Sequence, residues 1–183
     1  MRQVLRALTA ATLSAVALSV ALPTATRAQG LGFTLMGGAG VAVGDLGNSS
    51  ALGIGVSLRR EAGGQSAGWG YRTDVTVDRF STTGAVEAYE YYGLTTNVVH
   101  YTTRELYQYA GVGIVQAKTV KSRGTIGTGD VNDYLQLGQV LQGGVGLALP
   151  KISDKAFLDV GVVIAFTSGR TSSWFPIRFG FRI

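Results

Sequence analysis

The sequence predicts an all-β fold: eight antiparallel strands, joined up-and-down and closed into a barrel with an apolar outer face. Three observations predict it. From Phe175 to Ile183 bulky apolar residues fall on every second position, with Pro176, Arg178, Gly180 and Arg182 between them. A period of two puts the apolar set on one face of a strand and the cationic and small set on the other. The same grammar, about ten residues of alternation and then a turn, repeats along the chain until eight strands are counted. Hydrophobic residues make up 46% of the 183 and charged residues only 15%, yet no internal run is long enough for a membrane helix.

In order, strand one covers Gly32–Val43, with Phe33, Leu35, Val41 and Val43 apolar, and its glycines Gly38 and Gly40 predict a bulge. Gly44–Ser50 is a loop by composition. Strand two opposes Leu52, Ile54, Val56 and Leu58 to Gly53, Gly55, Ser57 and Arg59, and Glu61–Gly68 is a turn. Strand three sets Trp69, Tyr71, Thr73, Val75 and Val77 against Gly70, Arg72, Asp74, Thr76 and Asp78. Three charges on one face are intolerable in an ordinary core unless paired.

After a loop over Ser81–Ala88, strand four turns Tyr92, Leu94, Thr96 and Val98 away from Gly93, Thr95 and Asn97. Thr102–Glu105 is a tight connection. Strand five places Ala110, Val112 and Ile114 opposite Tyr109, Gly111 and Gly113, and Lys121–Asp133 is the longest loop. Strand six alternates Leu135, Leu137, Leu141, Val145 and Leu147 with Gln136, Gly138, Gln142, Gly144 and Gly146. Leu137 is the position expected to face lipid at mid-depth. Pro150–Lys155 turns, strand seven opposes Leu158, Val160, Val162, Ile164 and Phe166 to Asp159, Gly161 and Ala165, and Ser168–Ser173 is the last loop.

The terminal strand has no covering element after it, and an exposed aromatic row must be covered in water but not in lipid. This ending resembles the C-terminal assembly strand of Gram-negative outer-membrane β-barrels, especially the OmpA/OmpX-type proteins. That family usually finishes on an aromatic residue, and this chain finishes on Ile183. The resemblance covers nearly all of residues 29–183. It implies a structural or surface-interaction role, outer-membrane lipid and lipopolysaccharide as surroundings, and delivery to the barrel-assembly machinery through Phe175, Ile177, Phe179, Phe181 and Ile183.

The first residues carry a separate signal. Arg2 and Arg6 precede a short apolar run, Ala7–Leu22, and small residues follow to Ala28. These are the parts of a secretory signal peptide, so the expected organisation is a cleaved segment 1–28 and a barrel domain 29–183. Cleavage removes Arg2, Arg6 and Arg27, lowering Lys+Arg from 16 to 13 against 11 acids, and the net charge from +5 to +2. No basic cluster survives, so the composition points away from nucleic acid. The chain has no cysteine, and a closed barrel can hold an exported chain through its ladders alone.

Alternation places Arg59, Arg72, Asp74, Asp78, Asp159, Arg178 and Arg182 inside the barrel. Eight strands leave a lumen just wide enough for side chains, so these residues are expected to pair and fill it. Counted heights pair Asp159 with Arg182, and Asp74 with Arg178 and Arg72 beside them. Aromatic residues gather near strand ends: Trp69, Tyr71, Tyr101, Tyr107 and Tyr109 at one, and Phe80, Tyr89, Tyr91, Tyr92, Trp174 and Phe175 at the other. Two girdles at headgroup depth are the expected result.

No catalytic constellation stands out, and neither cofactor nor metal is expected. His100 is the only histidine, without a serine or carboxylate at a matching position, and it suits an interface. One histidine and no cysteine cannot build a zinc site. Gly129–Asp133 lacks calcium-loop spacing, and Asn48-Ser49-Ser50 matches a glycosylation sequon. Function therefore divides three ways. The first is a non-enzymatic envelope protein, expected to be a monomer. The second is a soluble lipocalin-like carrier with its apolar face inward, and the third a lipid-modifying barrel enzyme.

Overall fold

The computed structural model describes residues 32–49, 52–62, 68–82, 86–121, 135–168 and 170–183. The expected signal segment 1–28, the Gly129–Asp133 loop and Ser50 of the sequon lie outside them. The strands are β1 (Gly32–Val43), β2 (Leu52–Ala62), β3 (Gly68–Ser81), β4 (Val86–Tyr101), β5 (Leu106–Lys121), β6 (Leu135–Ala148), β7 (Ala156–Thr167) and β8 (Arg170–Arg182). Each pairs antiparallel with its neighbour in the sequence, and β1 pairs with β8 to close the barrel. The end carrying Gly32 and Arg182 is called the base here, and the opposite end the mouth.

Closure turns the alternation into an inside and an outside. Leu52, Ile54, Val56 and Leu58 are exposed on β2 while Ser57 and Arg59 are buried. Val160 and Phe166 on β7, and Phe175, Ile177, Phe179 and Phe181 on β8, continue the exposed apolar belt around the barrel. Packed side chains and charges fill the inner positions. This is the reverse of a soluble protein, and it is the arrangement lipid requires.

Four local expectations need correction. β1 has no bulge: its register runs unbroken from Gly32↔Glu61 to Val41↔Leu52 on one side and from Thr34↔Arg182 to Val43↔Ser173 on the other. Its glycines serve close approach instead, since a Cβ on Gly38 would collide with the Ile177 carbonyl of β8. Among the described residues the register shift lies between Val86 and Ala88 on β4.

The segment after β1 is not a plain loop but a short helix, α1 (Gly44–Ser49). Gly44 reverses the chain with a φ of 60°, and Leu46 is fully buried as α1 tucks into the mouth.

The last loop is shorter than Ser168–Ser173, because Arg170 already pairs with Thr167 and Ser172 with Ala165. Strands three, four and five also run further towards the mouth than alternation predicted. Above the apolar belt their outer face turns polar: Arg79 bonds Glu87 at 2.9 Å and Glu90 at 3.3 Å, and Tyr92 bonds Glu90 at 2.7 Å. Cross-strand ion pairs hold the ladder there, where the apolar period has stopped.

Depth is the fourth correction. Leu137 lies opposite Gln116, one step below the Lys118↔Leu135 pair and so close to the polar rim. Leu141, opposite Val112 and Ile164, is the mid-strand outward position on β6.

On β8, Pro176 faces inward. The β7–β8 register is the same on both sides of it, from Val160↔Ile177 to Val163↔Trp174, but the pairs between are missing. Proline has no N–H to give the ladder.

Candidate functional site: the lumen

The lumen is built in layers, from the inward positions of all eight strands. At the mouth Phe80, Tyr91 and Trp174 pack edge to face under Leu46, with Ala42, Val115, Val140, Val163 and Ala165 around them. At the base Val99, Tyr101, Tyr107, Tyr109 and Phe157 form a second cluster. The two girdles are therefore only partly girdles. Trp69, Tyr71, Tyr92 and Phe175 face outward, whereas Tyr101, Tyr107, Tyr109, Phe80, Tyr91 and Trp174 are buried inside, and Tyr89 packs against the mouth cluster. The physical reason is parity: Tyr107 and Tyr109 share a strand face with Gly111 and Gly113, where the lumen has room for them. Gly146 makes such room, since a Cβ there would strike the Tyr107 ring.

Charges occupy the space between the clusters. Arg59 is the hub: its Nε donates to Asp74 Oδ1 at 3.0 Å, one Nη to the Tyr107 hydroxyl at 2.8 Å, and the other to Asp159. Arg72 lies beside it, 3.0 Å from Asp74 and 3.2 Å from Asp159, with its guanidinium 3.4 Å from the centre of the Tyr109 ring. Tyr107 donates to the second Asp159 oxygen at 2.6 Å. Gln142 and Asn97 reach Asp74 at 3.2 and 3.3 Å, and Gln142 also donates to Asn97 at 2.8 Å and Thr95 at 2.7 Å. Two arginines thus share two aspartates, and every charge has several partners.

Two further pairs flank this centre. Towards the mouth, one Arg178 nitrogen donates to both Asp78 oxygens at 2.6 and 2.7 Å. Towards the base, Arg182 bonds Glu61 at 3.1 Å and lies 4.9 Å from the Phe157 ring centre.

The structure brings all seven inward charges inside, but its pairing differs from the counted one. Arg178 meets Asp78 rather than Asp74, and Asp159 meets Arg59 and Arg72 rather than Arg182. On the ladder Asp159 lies opposite Arg178, and Arg182 sits beyond it, its N–H bonded to Lys155. Heights counted along a flat sheet omit the tilt and stagger that closure imposes. Composition puts Glu61 in a turn, but it belongs to β2, and its place two residues after Arg59 carries the inward parity. Gln142, Asn97 and Thr95 were on the inward face without a role. His100 stands on the outer face, its ring 4.6 Å from Trp69.

By sequence the chain matches no family model and no curated protein. By structure it has the fold of the small eight-stranded outer-membrane β-barrels, the architecture that the terminal strand pointed to. It is similar to Ail, the attachment invasion locus protein of Yersinia pestis, solved in complex with the heparin analogue sucrose octasulfate. The TM-score is 0.60 at 15% identity, over 84% of this chain and 100% of that one. It is similar to Neisserial surface protein A (TM-score 0.54, 16% identity, 82% and 97% covered). It also resembles the N-terminal β-barrel domain of Pseudomonas aeruginosa OprF (TM-score 0.56, 9% identity, 85% and 100% covered). At such identities the likeness is one of fold.

Proposed function

We propose that the chain is an integral outer-membrane protein of Gram-negative type with a non-enzymatic structural or surface-interaction role, its lumen sealed by the charged network. One observation carries this reading: the barrel is inside out, with an apolar belt exposed on its strands and its arginines and aspartates buried and paired. A soluble carrier would need the opposite surface, which is why the lipocalin-like alternative is set aside. Insertion would place the base towards the periplasm and the mouth outside, with outer-membrane lipid and lipopolysaccharide around the belt. The β8 strand would be what the assembly machinery receives after a signal peptide is removed, and the product is taken to be a monomer.

The seal follows from the balance of charge. Arg59, Arg72, Arg178 and Arg182 face Asp74, Asp159, Asp78 and Glu61, four against four. An ion entering this lumen would have to displace a partner from a buried bond, and truncating one side of such a pair costs about 3–5 kcal/mol. In planar bilayers the refolded native barrel is expected to be silent, with leak appearing in Arg178→Ala. Steady large channels from the native chain would overturn the seal, while leaving the membrane assignment standing.

A further inference from the structure

Strand β2 carries one outward residue that the apolar belt does not explain. Leu52, Ile54, Val56 and Leu58 alternate with the inward Ser57 and Arg59, and the next outward position is Arg60. Its register gives the same side: Arg60 lies opposite Phe33 on β1 and Thr73 on β3, and Phe33 is exposed. Arg60 is itself exposed, two residues before β2 ends at Ala62. It therefore stands at the base edge of the belt with its charge on the lipid side. There an arginine lays its apolar stem along the wall and carries its head to the headgroups.

Three neighbours share that edge. Thr73 faces Arg60 and Trp69 faces His100, so Tyr71 is diagonal to Arg60 across one ladder and to His100 across the next. Diagonal positions are within reach of long and aromatic side chains. Trp69 and Tyr71 are exposed, and the Trp69 and His100 ring centres lie 4.6 Å apart. One guanidinium and three polar-tipped rings thus form a continuous patch on β2, β3 and β4. Towards the mouth the same three strands present Leu58, Val75 and Val98, all exposed and apolar. Among the described residues no carboxylate pairs with Arg60; its neighbour Glu61 faces inward and bonds Arg182. Those residues include every Asp and Glu of the sequence except Asp130 and Asp133, which fall between the mouth ends of β5 and β6.

We infer that this patch is a binding site for an anionic phospholipid of the leaflet at the base, with the phosphate on Arg60 and the acyl chains along Leu58, Val75 and Val98. The inference rests on the membrane reading above and assigns it one lipid and one place. A guanidinium matches a phosphate through two parallel hydrogen bonds. The Trp69 N–H, the Tyr71 hydroxyl and the His100 imidazole offer donors and acceptors to the ester and hydroxyl oxygens of the head. Net charge selects the lipid class. A zwitterionic head carries its own ammonium beside the phosphate and competes with Arg60, whereas an anionic head leaves the pair neutral. The apolar track next to the patch favours a lipid over free phosphate, which has nothing to lay along it. In the orientation proposed above, the patch faces the periplasmic leaflet.

The test is quenching of Trp69 by brominated lipids, with the full barrel in phosphatidylcholine vesicles. Of the two tryptophans Trp69 is 72% exposed and Trp174 only 2%, so bromine near the top of an acyl chain reads the surroundings of Trp69. Brominated phosphatidylglycerol, phosphatidylethanolamine and diacylglycerol are each mixed in as a minor component. Phosphatidylglycerol is expected to quench as if enriched about fivefold over its bulk share, the pull of one interfacial arginine, and the other two in proportion to their share. Arg60→Gln should return phosphatidylglycerol to its bulk share, with partial recovery in Arg60→Lys. A reporter moved to the far side of the barrel, Trp69→Phe with Leu158→Trp on β7, should register no enrichment, which separates a site from the general attraction of a cationic chain. Enrichment that survives Arg60→Gln, equal quenching by phosphatidylglycerol and phosphatidylethanolamine, or equal enrichment at the β7 reporter would overturn the site. An unboiled-versus-boiled gel shift confirms that each variant is folded. Failure of brominated phosphatidylcholine itself to quench Trp69 would instead sink the membrane reading.

Discussion

Deletion of Phe179–Ile183 is expected to abolish assembly, leaving the chain degraded or aggregated before it reaches the membrane. These residues supply the pairs Arg182↔Thr34, Phe181↔Leu35, Gly180↔Met36 and Phe179↔Gly37 at the seam where the barrel closes. They also pair with Ala156, Phe157 and Leu158 on β7. The Ile183 N–H donates to the Phe33 carbonyl at 2.7 Å, and that of Arg182 to Lys155 at 2.8 Å. Without them, two stretches of unpaired backbone face hydrocarbon, where each unsatisfied group costs several kcal/mol and no water can substitute. Loss of closure is therefore all-or-none. Ile183→Phe, by contrast, keeps the ladder, leaves an exposed apolar position apolar, and should assemble at least as well as the native chain. Fractionation with the boiled and unboiled gel shift checks both. Normal insertion of the truncated form would contradict the role given to β8.

Asp159→Ala is expected to cost about 3–5 kcal/mol in urea unfolding from lipid vesicles, among the largest effects of any single side chain. Asp159 answers Arg59 and Arg72 together, and its other oxygen receives the Tyr107 hydroxyl. Its loss leaves two guanidiniums buried side by side with Asp74 as their shared aspartate. Replacing a whole pair is different. Arg178→Met with Asp78→Leu removes both charges of an isolated pair, and a packed apolar substitute for a buried ion pair is often neutral. The double variant should lie within about 1 kcal/mol of the native chain, whereas Arg178→Ala alone should not. A loss below 1 kcal/mol for Asp159→Ala would mean that water reaches the network and screens it.

Why the sequence told as much as it did follows from these same residues. Alternation is a one-dimensional property, and it assigns the inward charges other than Glu61 to their face, since closing a barrel does not change a residue's parity. Which charges meet is three-dimensional. It depends on tilt and stagger, so Asp78 finds Arg178 and Asp159 finds Arg59 in ways a flat count cannot give. The mouth ends of β3–β5 were hidden because their outer face trades apolar side chains for Arg79, Glu87 and Glu90, ending the pattern while the ladder continues. The tyrosines were misplaced for a simpler reason. Position near a strand end suggested headgroups, but the parity of Tyr107 and Tyr109, matching Gly111 and Gly113, already put them inside. Leu46 carried no periodic signal at all, since α1 is a six-residue helix whose burial depends on the mouth it fills. Arg170 falls in a stretch that composition marks as loop, and its pairing with Thr167 shows it as barrel wall.

The central claim is that lipid surrounds this barrel and packed side chains fill it. A nitroxide scan along β7 tests it most directly, because the chain has no cysteine to interfere. Single labels at Val162 and Ile164, which face outward, and at Val163 and Ala165, which are buried inside, are placed in the barrel reconstituted in bilayers. Oxygen should relax the outward labels strongly and the inward ones weakly, with a period of two, while a water-soluble nickel chelate reaches neither set. A chelate signal at Val162 and Ile164 would contradict the membrane belt, and one at Val163 and Ala165 would contradict the filled lumen.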